Sequence, residues 1–150
     1  IVEFFDYNCP WCKQSARDLD ALLKSDSRLK LILVNYAVLG IPSILAGKVA
    51  LGVAFEAAES YPAFHRELLA ARGAVGGDEA LAVAQKLNLD IDSITERANS
   101  DVVTAALKAS ADFGARNNLA ATPSYLIGRH AYVGHVPMAQ MKSIIASERA

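Results

Sequence analysis

The order of predicted elements in residues 1–36 constrains the fold of this chain more than any other feature of the sequence. Ile1–Phe5 is a short apolar, β-branched and aromatic run that predicts a strand. A helix is expected from about Pro10, because proline suits a first helical turn. Its predicted apolar face holds Cys12, Ala16, Leu19 and Leu23. Leu29–Tyr36 is nearly continuous hydrophobic sequence, typical of a strand covered on both faces, so the three elements form a βαβ unit with a parallel strand pair.

The rest of the chain adds helices and one hairpin to this unit. Residues 41–98 show helical patterning and no convincing strand, and residues 102–114 carry a further helical stripe. Ser124–Ile127 and His130–Val133 are strand-like runs on either side of a Gly-Arg turn, which predicts an antiparallel hairpin. A final helix is expected to open at Pro137. The predicted fold class is α/β, in the order βαβ, helical insert and αββα.

The length and composition indicate one folded domain. The chain has 150 residues, of which 53% are hydrophobic, and this content is too high for a disordered protein. The formal net charge is −1 and no basic block is present, so the sequence has no electrostatic signature for nucleic acid or for an acidic membrane surface.

Neither a membrane span nor a targeting signal is predicted within the sequence. The longest uncharged run lies between Lys30 and Lys48, but polar and turn residues interrupt it, and we interpret it as a strand, a turn and a helix. The sequence starts inside a predicted strand, and we therefore expect that a preceding segment has been removed.

The only two cysteines, Cys9 and Cys12, lie at the predicted junction of strand and helix, after the turn and capping residues Asp6–Asn8. A disulfide between them closes a very small ring and constrains the unfolded chain little, which argues against a stabilising purpose. Cys9 comes just before the helix, where unpaired N–H groups and the positive end of the helix dipole favour a thiolate. We expect its sulfur to be accessible to water and nucleophilic, while Cys12 is sheltered and acts as the resolving thiol.

Three other interpretations of the pair remain open at this point. Cys9 and Cys12 could bind structural zinc together with His130 and His135, although the Pro10–Trp11 dipeptide between the cysteines is stiff and bulky. The pair could also be an inert disulfide. A third alternative is two buried free cysteines, which are common in proteins.

Glu3 is a further candidate, because it is the one acid in an otherwise apolar strand. Buried beneath the helix that carries Cys12, its carboxyl would have a raised pKa and could accept and return the proton of the resolving thiol. The alternative is an exposed acid on an incompletely covered strand.

Thr122 and Pro123 precede the first hairpin strand. This X-Pro step is either a simple turn or edge, or a cis peptide that directs the Thr122 backbone toward a ligand. Trp11 is expected to flank the reactive sulfur and to form part of an apolar docking surface. His65, His130 and His135 are interpreted as surface or structural residues, because the sequence suggests no nucleophile partner for them.

Three segments of the sequence resemble those of DsbA-type thiol–disulfide oxidoreductases in the thioredoxin superfamily. Residues 3–13, EFFDYNCPWCK, resemble the active-site segment of that family. Residues 121–128, ATPSYLIG, resemble its cis-proline strand, and residues 134–141, GHVPMAQM, resemble the loop that leads to its last helix. The order of elements is similar along nearly the whole chain.

This resemblance implies a thioredoxin fold with a helical insertion, in which residues 1–150 form one domain. Residues 1–40 and 100–150 would be the thioredoxin-fold part, and residues about 41–99 the insert. It also implies that Glu3 is the buried acid of the family and that Pro123 is cis and faces the cysteines, so that Thr122 and Pro123 bind substrate. No metal is implied, and no cofactor other than the redox-active disulfide Cys9–Cys12.

The activity implied is the introduction or exchange of disulfide bonds in exported polypeptides, in the bacterial periplasm or outside the cytoplasmic membrane. The partners would be reduced or misoxidised polypeptides and a redox partner that resets the cysteine pair. Two features leave the direction open. The dipeptide is Pro10–Trp11 where the best-known oxidases have Pro-His, and Thr122 resembles branches that include isomerases, reductases and copper-stress proteins. Two alternatives therefore stay open: a disulfide reductase or isomerase, with or without a link to copper stress, and a non-enzymatic metal-binding module that uses Cys9 and Cys12.

Overall fold

The computed structural model describes residues 1–150, and its four strands form one mixed sheet in the order β2-β1-β3-β4. The strands are β1 Val2–Phe5, β2 Ile32–Asn35, β3 Ser124–Ile127 and β4 His130–Val133. β1 pairs in parallel with β2 and antiparallel with β3, and β3 and β4 form an antiparallel hairpin. The predicted parallel pair and hairpin are therefore present, and β1 lies in the interior of the sheet.

Seven α-helices and one 3₁₀ turn complete the α/β thioredoxin-like fold. They are α1 Pro10–Ser25, α2 Ile41–Glu56, the 3₁₀ turn Ala58–Ser60, α3 Tyr61–Ala70, α4 Gly77–Lys86, α5 Ile91–Ala98, α6 Asp101–Arg116 and α7 Met138–Arg149. The four helices α2 to α5 follow one another without a strand, as the sequence predicts for residues 41–98. None of the helices combines the length and the apolar character that crossing a bilayer requires.

Three groups of buried side chains hold the layers together. Residues of α1, β3 and α7 pack on one face of the sheet, including Leu19, Tyr125 and Met141. On the other face, Phe4 packs edge-on against Tyr36 and stacks on Phe113 of α6. The largest group joins the helices α2 to α5 to Phe5, Tyr7 and both cysteines. Burial of this group attaches the helical segment to the end of β1 where the cysteines lie.

Two details of the N-terminal unit differ from the sequence-based expectation. β2 is an edge strand, and Ile32 is 46% exposed, so the strand is covered less completely than its composition suggested. Its apolar side chains are shared between two different clusters, which explains the continuous hydrophobic run. On α1, Ser15 and Leu22 are buried where the pattern favoured Ala16 and Leu23, because the contact face is rotated toward the i+3 positions.

Asp6 fastens the loop after β2 to the turn that precedes α1, and does not cap α1. Its carboxylate accepts hydrogen bonds from the backbone N–H groups of Val38 at 2.9 Å and Leu39 at 3.0 Å. It also accepts one from the hydroxyl of Ser43 at 2.7 Å and one from the backbone N–H of Asn8 at 2.8 Å. No side chain caps α1, so the expected capping role of these residues is wrong. Buried Asp6 instead joins three segments through four hydrogen bonds.

Gly52 sets the distance between α2 and α5. A Cβ atom at this position would lie 2.7 Å from the carbonyl oxygen of Ile94, which is backbone and cannot rotate away. The substitution Gly52→Ala is therefore expected to lower the free energy of unfolding by roughly 1–3 kcal/mol, as overpacking does in other cores. Urea denaturation of the variant and the wild type measures the difference.

The matched control is Gly77→Ala at the start of α4, where the added Cβ would make only an ordinary contact of 3.5 Å with Leu45. Helix propensity favours alanine, so this control should be neutral or slightly stabilising. A Gly52→Ala protein as stable as wild type would contradict the close packing of α2 on α5.

Candidate active site

Cys9 occupies the position just before the first turn of α1, with Pro10 as the first helical residue. Proline lacks an N–H group, so the donors available to the sulfur come from the next residues of the turn. The backbone N–H groups of Trp11 and Cys12 donate hydrogen bonds to the Cys9 sulfur. The sequence thus places this sulfur where a helix start offers unpaired donors.

The hydrogen bond that the Cys12 thiol donates to the sulfur is the largest cause of a low pKa for Cys9, which falls to about 6. Burial opposes this shift, while the side chain of Thr122 and the two backbone N–H groups reinforce it. Each of these donors stabilises the anion more than the thiol. When the pair is reduced, Cys9 is therefore mostly a thiolate at neutral pH. Both cysteines are reduced in this structure.

Cys12 has the opposite properties. Its hydrogen bond to Cys9 and its burial raise the pKa of its thiol far above the ordinary range, although the backbone N–H of Asp6 donates to the sulfur at 3.5 Å. Cys9 is 4% exposed and Cys12 is 1% exposed, so Cys9 is the more accessible of the two, but it is much less open to water than expected. The two thiols differ because one donates the hydrogen bond and the other accepts it.

Thr122 and Pro123 lie directly beside Cys9, although 113 positions separate Cys9 and Thr122 in the chain. The Thr122–Pro123 peptide bond is cis, the isomer that the resemblance implies. The Cys9 sulfur is 3.2 Å from the backbone carbonyl oxygen of Thr122, which accepts a hydrogen bond from the protonated thiol. Because β3 pairs antiparallel with β1, the start of β3 lies beside the cysteine pair that follows β1.

Glu3 is buried in β1, with 1% exposure, so the alternative of an exposed acid is wrong. Its Oε1 accepts a hydrogen bond of 2.6 Å from the hydroxyl of Ser15. Burial raises the pKa of Glu3 to about 7; the hydrogen bond from Ser15 counteracts this shift and the charge of Cys9 adds to it. A carboxyl that titrates near neutrality next to the cysteines is suited to proton transfer.

Ser15 and Tyr125 belong to this site and were not singled out from the sequence. The two hydroxyl oxygens are 2.7 Å apart, and because Ser15 donates to Glu3, Tyr125 donates to Ser15. The spacing in the sequence offered a signal for Ser15 only, which lies one turn after Cys12 on α1. Tyr125 is identified by the structure, because the register of the β1–β3 pair sets it directly opposite Glu3.

Trp11 is 60% exposed, and its ring stacks on the ring of His135 with 5.1 Å between centroids. His135 in turn lies with its Nε2 3.4 Å from a carboxylate oxygen of Asp18. His135 therefore lies against Trp11, whereas the sequence offered it as a surface or structural residue or, in the zinc alternative, as a metal ligand. The aromatic surface beside Cys9 consists of Trp11 supported by His135.

The four residues of the zinc alternative are not assembled in the structure. His130 contacts Glu148 at 2.6 Å on the exposed side of β4, while His135 contacts Trp11. No group of three or more histidine, cysteine, aspartate or glutamate side chains is arranged to hold a metal ion. Cys9 and Cys12 therefore form a pair of thiols, and neither histidine joins them as a metal ligand.

Comparison with known families gives one match over almost the whole chain. The family model described as Thioredoxin (Thioredoxin_4) matches residues 1–147. A comparison with curated proteins finds no significant match.

Several solved structures share the fold. A thioredoxin-like oxidoreductase from Silicibacter pomeroyi is 27% identical, with a TM-score of 0.89, over 99% of this chain and 84% of that protein. The thiol-disulfide exchange protein alpha-DsbA2 from Wolbachia pipientis is 26% identical, with a TM-score of 0.89, over 97% and 79% of the two chains. ScsC from Proteus mirabilis, at 21% identity, shares the fold with a TM-score of 0.87 over 99% and 82%. The chain therefore belongs to the thioredoxin family and is a DsbA-like thiol–disulfide oxidoreductase.

Proposed function

We propose that this protein introduces disulfide bonds into exported polypeptides, with Cys9 as the nucleophile and Cys12 as the resolving thiol. The low pKa of Cys9, about 6, is the observation that carries the proposal. Stabilisation of this thiolate favours the reduced form of the pair, and a pair with a favoured reduced form is an oxidant toward other thiols.

The reaction starts from the oxidised form, in which Cys9 and Cys12 are bonded. A substrate thiolate attacks the Cys9 sulfur, a bond forms between the two sulfurs, and the Cys9–Cys12 bond breaks. Cys12 leaves as a thiolate and takes a proton from Glu3, whose pKa of about 7 suits this transfer. A second substrate thiolate then attacks the substrate sulfur of the mixed disulfide. Cys9 leaves as a thiolate, and the substrate has lost two electrons to the pair.

The surface beside Cys9 supports binding of an extended polypeptide. The Thr122 carbonyl, 3.2 Å from the Cys9 sulfur, offers a backbone hydrogen-bond acceptor at the reacting atom. The exposed Trp11 ring adds an apolar contact without sequence preference. A site made of backbone groups and one aromatic ring suits polypeptide substrates of varied sequence. After each substrate is oxidised, a redox partner must reoxidise the cysteine pair.

The protein would act outside the cytoplasm, where disulfide bonds persist. The alternative is a reductase or isomerase, in copper stress or otherwise, and it is favoured by the dipeptide Pro10–Trp11, which has no imidazole between the cysteines. The equilibrium of the pair with glutathione separates these directions. An oxidase requires a potential well above that of glutathione, and a reductase one below it.

Substitution of each cysteine tests the proposed roles. In an assay that follows oxidation of a reduced, unfolded polypeptide, Cys9→Ala should reduce turnover to the background rate, because the attacked sulfur is lost. Cys12→Ala should also stop turnover, because no Cys9–Cys12 disulfide can form. When this variant is supplied with glutathione disulfide, its Cys9 thiolate should displace one glutathione thiolate and remain in a mixed disulfide that mass spectrometry detects. Undiminished turnover by the Cys9→Ala protein would rule out this mechanism.

The reactivity of Cys9 should follow its pKa. Alkylation of the reduced protein by iodoacetamide is expected to be half-maximal at about pH 6 for Cys9, while Cys12 stays unreactive to pH 9 and above. The Cys12→Ala protein serves as the control, since it lacks the largest cause of the shift, and its Cys9 midpoint should move toward the ordinary value near 9. A wild-type midpoint above pH 8 would contradict the assignment.

The lowered pKa of Cys9 also determines how the stability of the reduced protein depends on pH. The pKa of Cys9 is lower in the folded protein than in the unfolded chain, so the thiolate contributes its full stabilisation above about pH 9. This contribution is lost as the pH falls toward 6. The reduced protein should therefore lose stability relative to the oxidised protein across this range.

Replacement of Glu3 should make the protein more stable at high pH. Its pKa is raised from 4.5 to about 7, so the fold loses stability as Glu3 ionises between these values. We expect Glu3→Gln to raise the free energy of unfolding of the oxidised protein by roughly 2–3 kcal/mol at pH 8.5 and by little at pH 4. Urea denaturation at both pH values measures this, with Glu59→Gln at an exposed site as the control. If both substitutions changed the free energy of unfolding equally at pH 8.5, ionisation of Glu3 would not destabilise the folded protein.

A further inference from the structure

Three basic side chains line a cleft of about 160 Å³ between α1 and α3. They are Lys13 and Arg17 of α1 and Arg66 of α3, and both arginines are exposed to solvent. Ala16 and Leu69 add apolar wall to the same cleft. The proposed reaction makes no use of this cleft, although the cleft begins in the first turn of α1, next to the cysteine pair.

The three cations of the cleft have no carboxylate partner. None of the eight salt bridges in the protein includes Lys13, Arg17 or Arg66. Asp20 is the one acid that lines the cleft, and its Oδ2 lies 2.6 Å from the Nζ of Lys24, which balances its charge. Because the whole chain has a formal net charge of −1, the positive charge is a local property of this cleft.

Two of the cations are held by neutral groups. The Nζ of Lys13 donates a hydrogen bond to the carbonyl oxygen of Ala71, the residue that follows α3. The Nη2 of Arg17 donates to the side-chain oxygen of Gln14 at 2.7 Å. Ammonium and guanidinium groups each carry several N–H donors. These contacts therefore position the charges without cancelling them, and further donors remain for a carboxylate.

The cleft extends along α1 away from the reactive sulfur. The backbone N–H of Lys13 donates to the carbonyl oxygen of Cys9 at 3.3 Å, and Arg17 follows Lys13 by one more turn. Side chains four positions apart lie on the same face of a helix. The Cα atoms of these two residues are therefore about 6 Å and about 12 Å beyond Cys9 along the helix axis. An extended polypeptide advances about 3.3 Å per residue, so a side chain roughly two to four residues from the attacking cysteine reaches the cations.

We propose that this cleft gives the protein a preference for polypeptides with acidic residues roughly two to four positions from the cysteine that attacks Cys9. The carboxylates pair with Arg17 and Arg66, and charge complementarity of this kind favours productive encounters. The backbone and Trp11 contacts at Cys9 accept varied sequences, and the cleft adds a selection by charge. The inference rests on the proposed function, because it names the class of polypeptide that the cysteine pair oxidises.

Two double variants that remove the same charge test the proposal. Arg17→Gln with Arg66→Gln takes two cations out of the cleft, and Lys13 is kept because its hydrogen bond joins α1 to the end of α3. Lys30→Gln with Arg129→Gln is the matched control. Both of its residues are exposed and form no salt bridge. They lie before β2 and in the turn between β3 and β4, at the ends of the strands that are opposite to Cys9.

The substrates are a reduced peptide with two cysteines and with glutamates at this spacing on both sides of the first cysteine, and the same peptide with glutamines instead. Each kcat/KM is divided by the rate at which glutathione disulfide alone oxidises that peptide, which corrects for the effect of the glutamates on the peptide thiols.

At low ionic strength we expect the corrected kcat/KM of the wild type to be about 3- to 10-fold higher for the glutamate peptide, as two or three exposed ion pairs would give. The Arg17→Gln, Arg66→Gln protein should bring this ratio close to one, and the control should keep the wild-type ratio. High salt should lower the wild-type ratio, because it screens exposed charges. Equal ratios in the wild type and the cleft variant, or an equal fall in both double variants, would overturn the proposal.

Peptide binding without oxidation separates this inference from the proposed function. When serine replaces both cysteines, the glutamate peptide should shift the backbone amide NMR signals around Arg17 and Arg66 of the oxidised wild-type protein more than the glutamine peptide does. Equal shifts with both peptides would overturn the inference even if both reduced peptides are oxidised. Selective shifts without oxidation of either reduced peptide would contradict the proposed function and support the cleft as a site for acidic peptides.

Discussion

The hydrogen bond from the Cys12 thiol to the Cys9 sulfur is the interaction on which the chemistry of this protein depends. It lowers the pKa of one cysteine and raises that of the other, because the same proton stabilises the anion that accepts it and is harder to remove from its donor. The helix start adds backbone donors to the same sulfur. Two chemically identical residues with nearly equal burial thereby acquire opposite roles.

The surrounding fold keeps this pair in place through a small number of polar contacts. Asp6 joins the turn before α1 to the loop after β2 and to Ser43 of α2. Asn8 donates to the carbonyl oxygen of Val75 at 2.8 Å and accepts a hydrogen bond from the N–H of the same residue at 2.7 Å. The helical segment is thus tied to the residue that precedes Cys9, and its packing limits how far the active-site turn can move.

The same site carries a cost in stability. A buried carboxyl with a pKa near 7 is partly ionised at neutral pH without a buried cation to balance its charge. A buried apolar residue would avoid that cost but could not transfer a proton. The hydrogen bond that Ser15 donates to Glu3, and the one that Tyr125 donates to Ser15, reduce this cost while the carboxyl stays titratable. Proton transfer near neutral pH requires that property.

The sequence by itself determined the order of the elements, the hairpin, the helical middle segment and the position of the cysteine pair at a helix start. These follow from local patterns, since hydrophobic period, proline and turn residues act within a few positions. The tertiary structure alone decided that β2 is an edge strand, that Glu3 is buried, and that Thr122 lies beside Cys9, His135 against Trp11 and Arg66 in one cleft with Arg17. These residues lie far apart along the chain, and only the pairing of β1 with β3 and the packing of α3 on α1 bring them together. Local patterns carry no information on such contacts, because they arise when the layers pack.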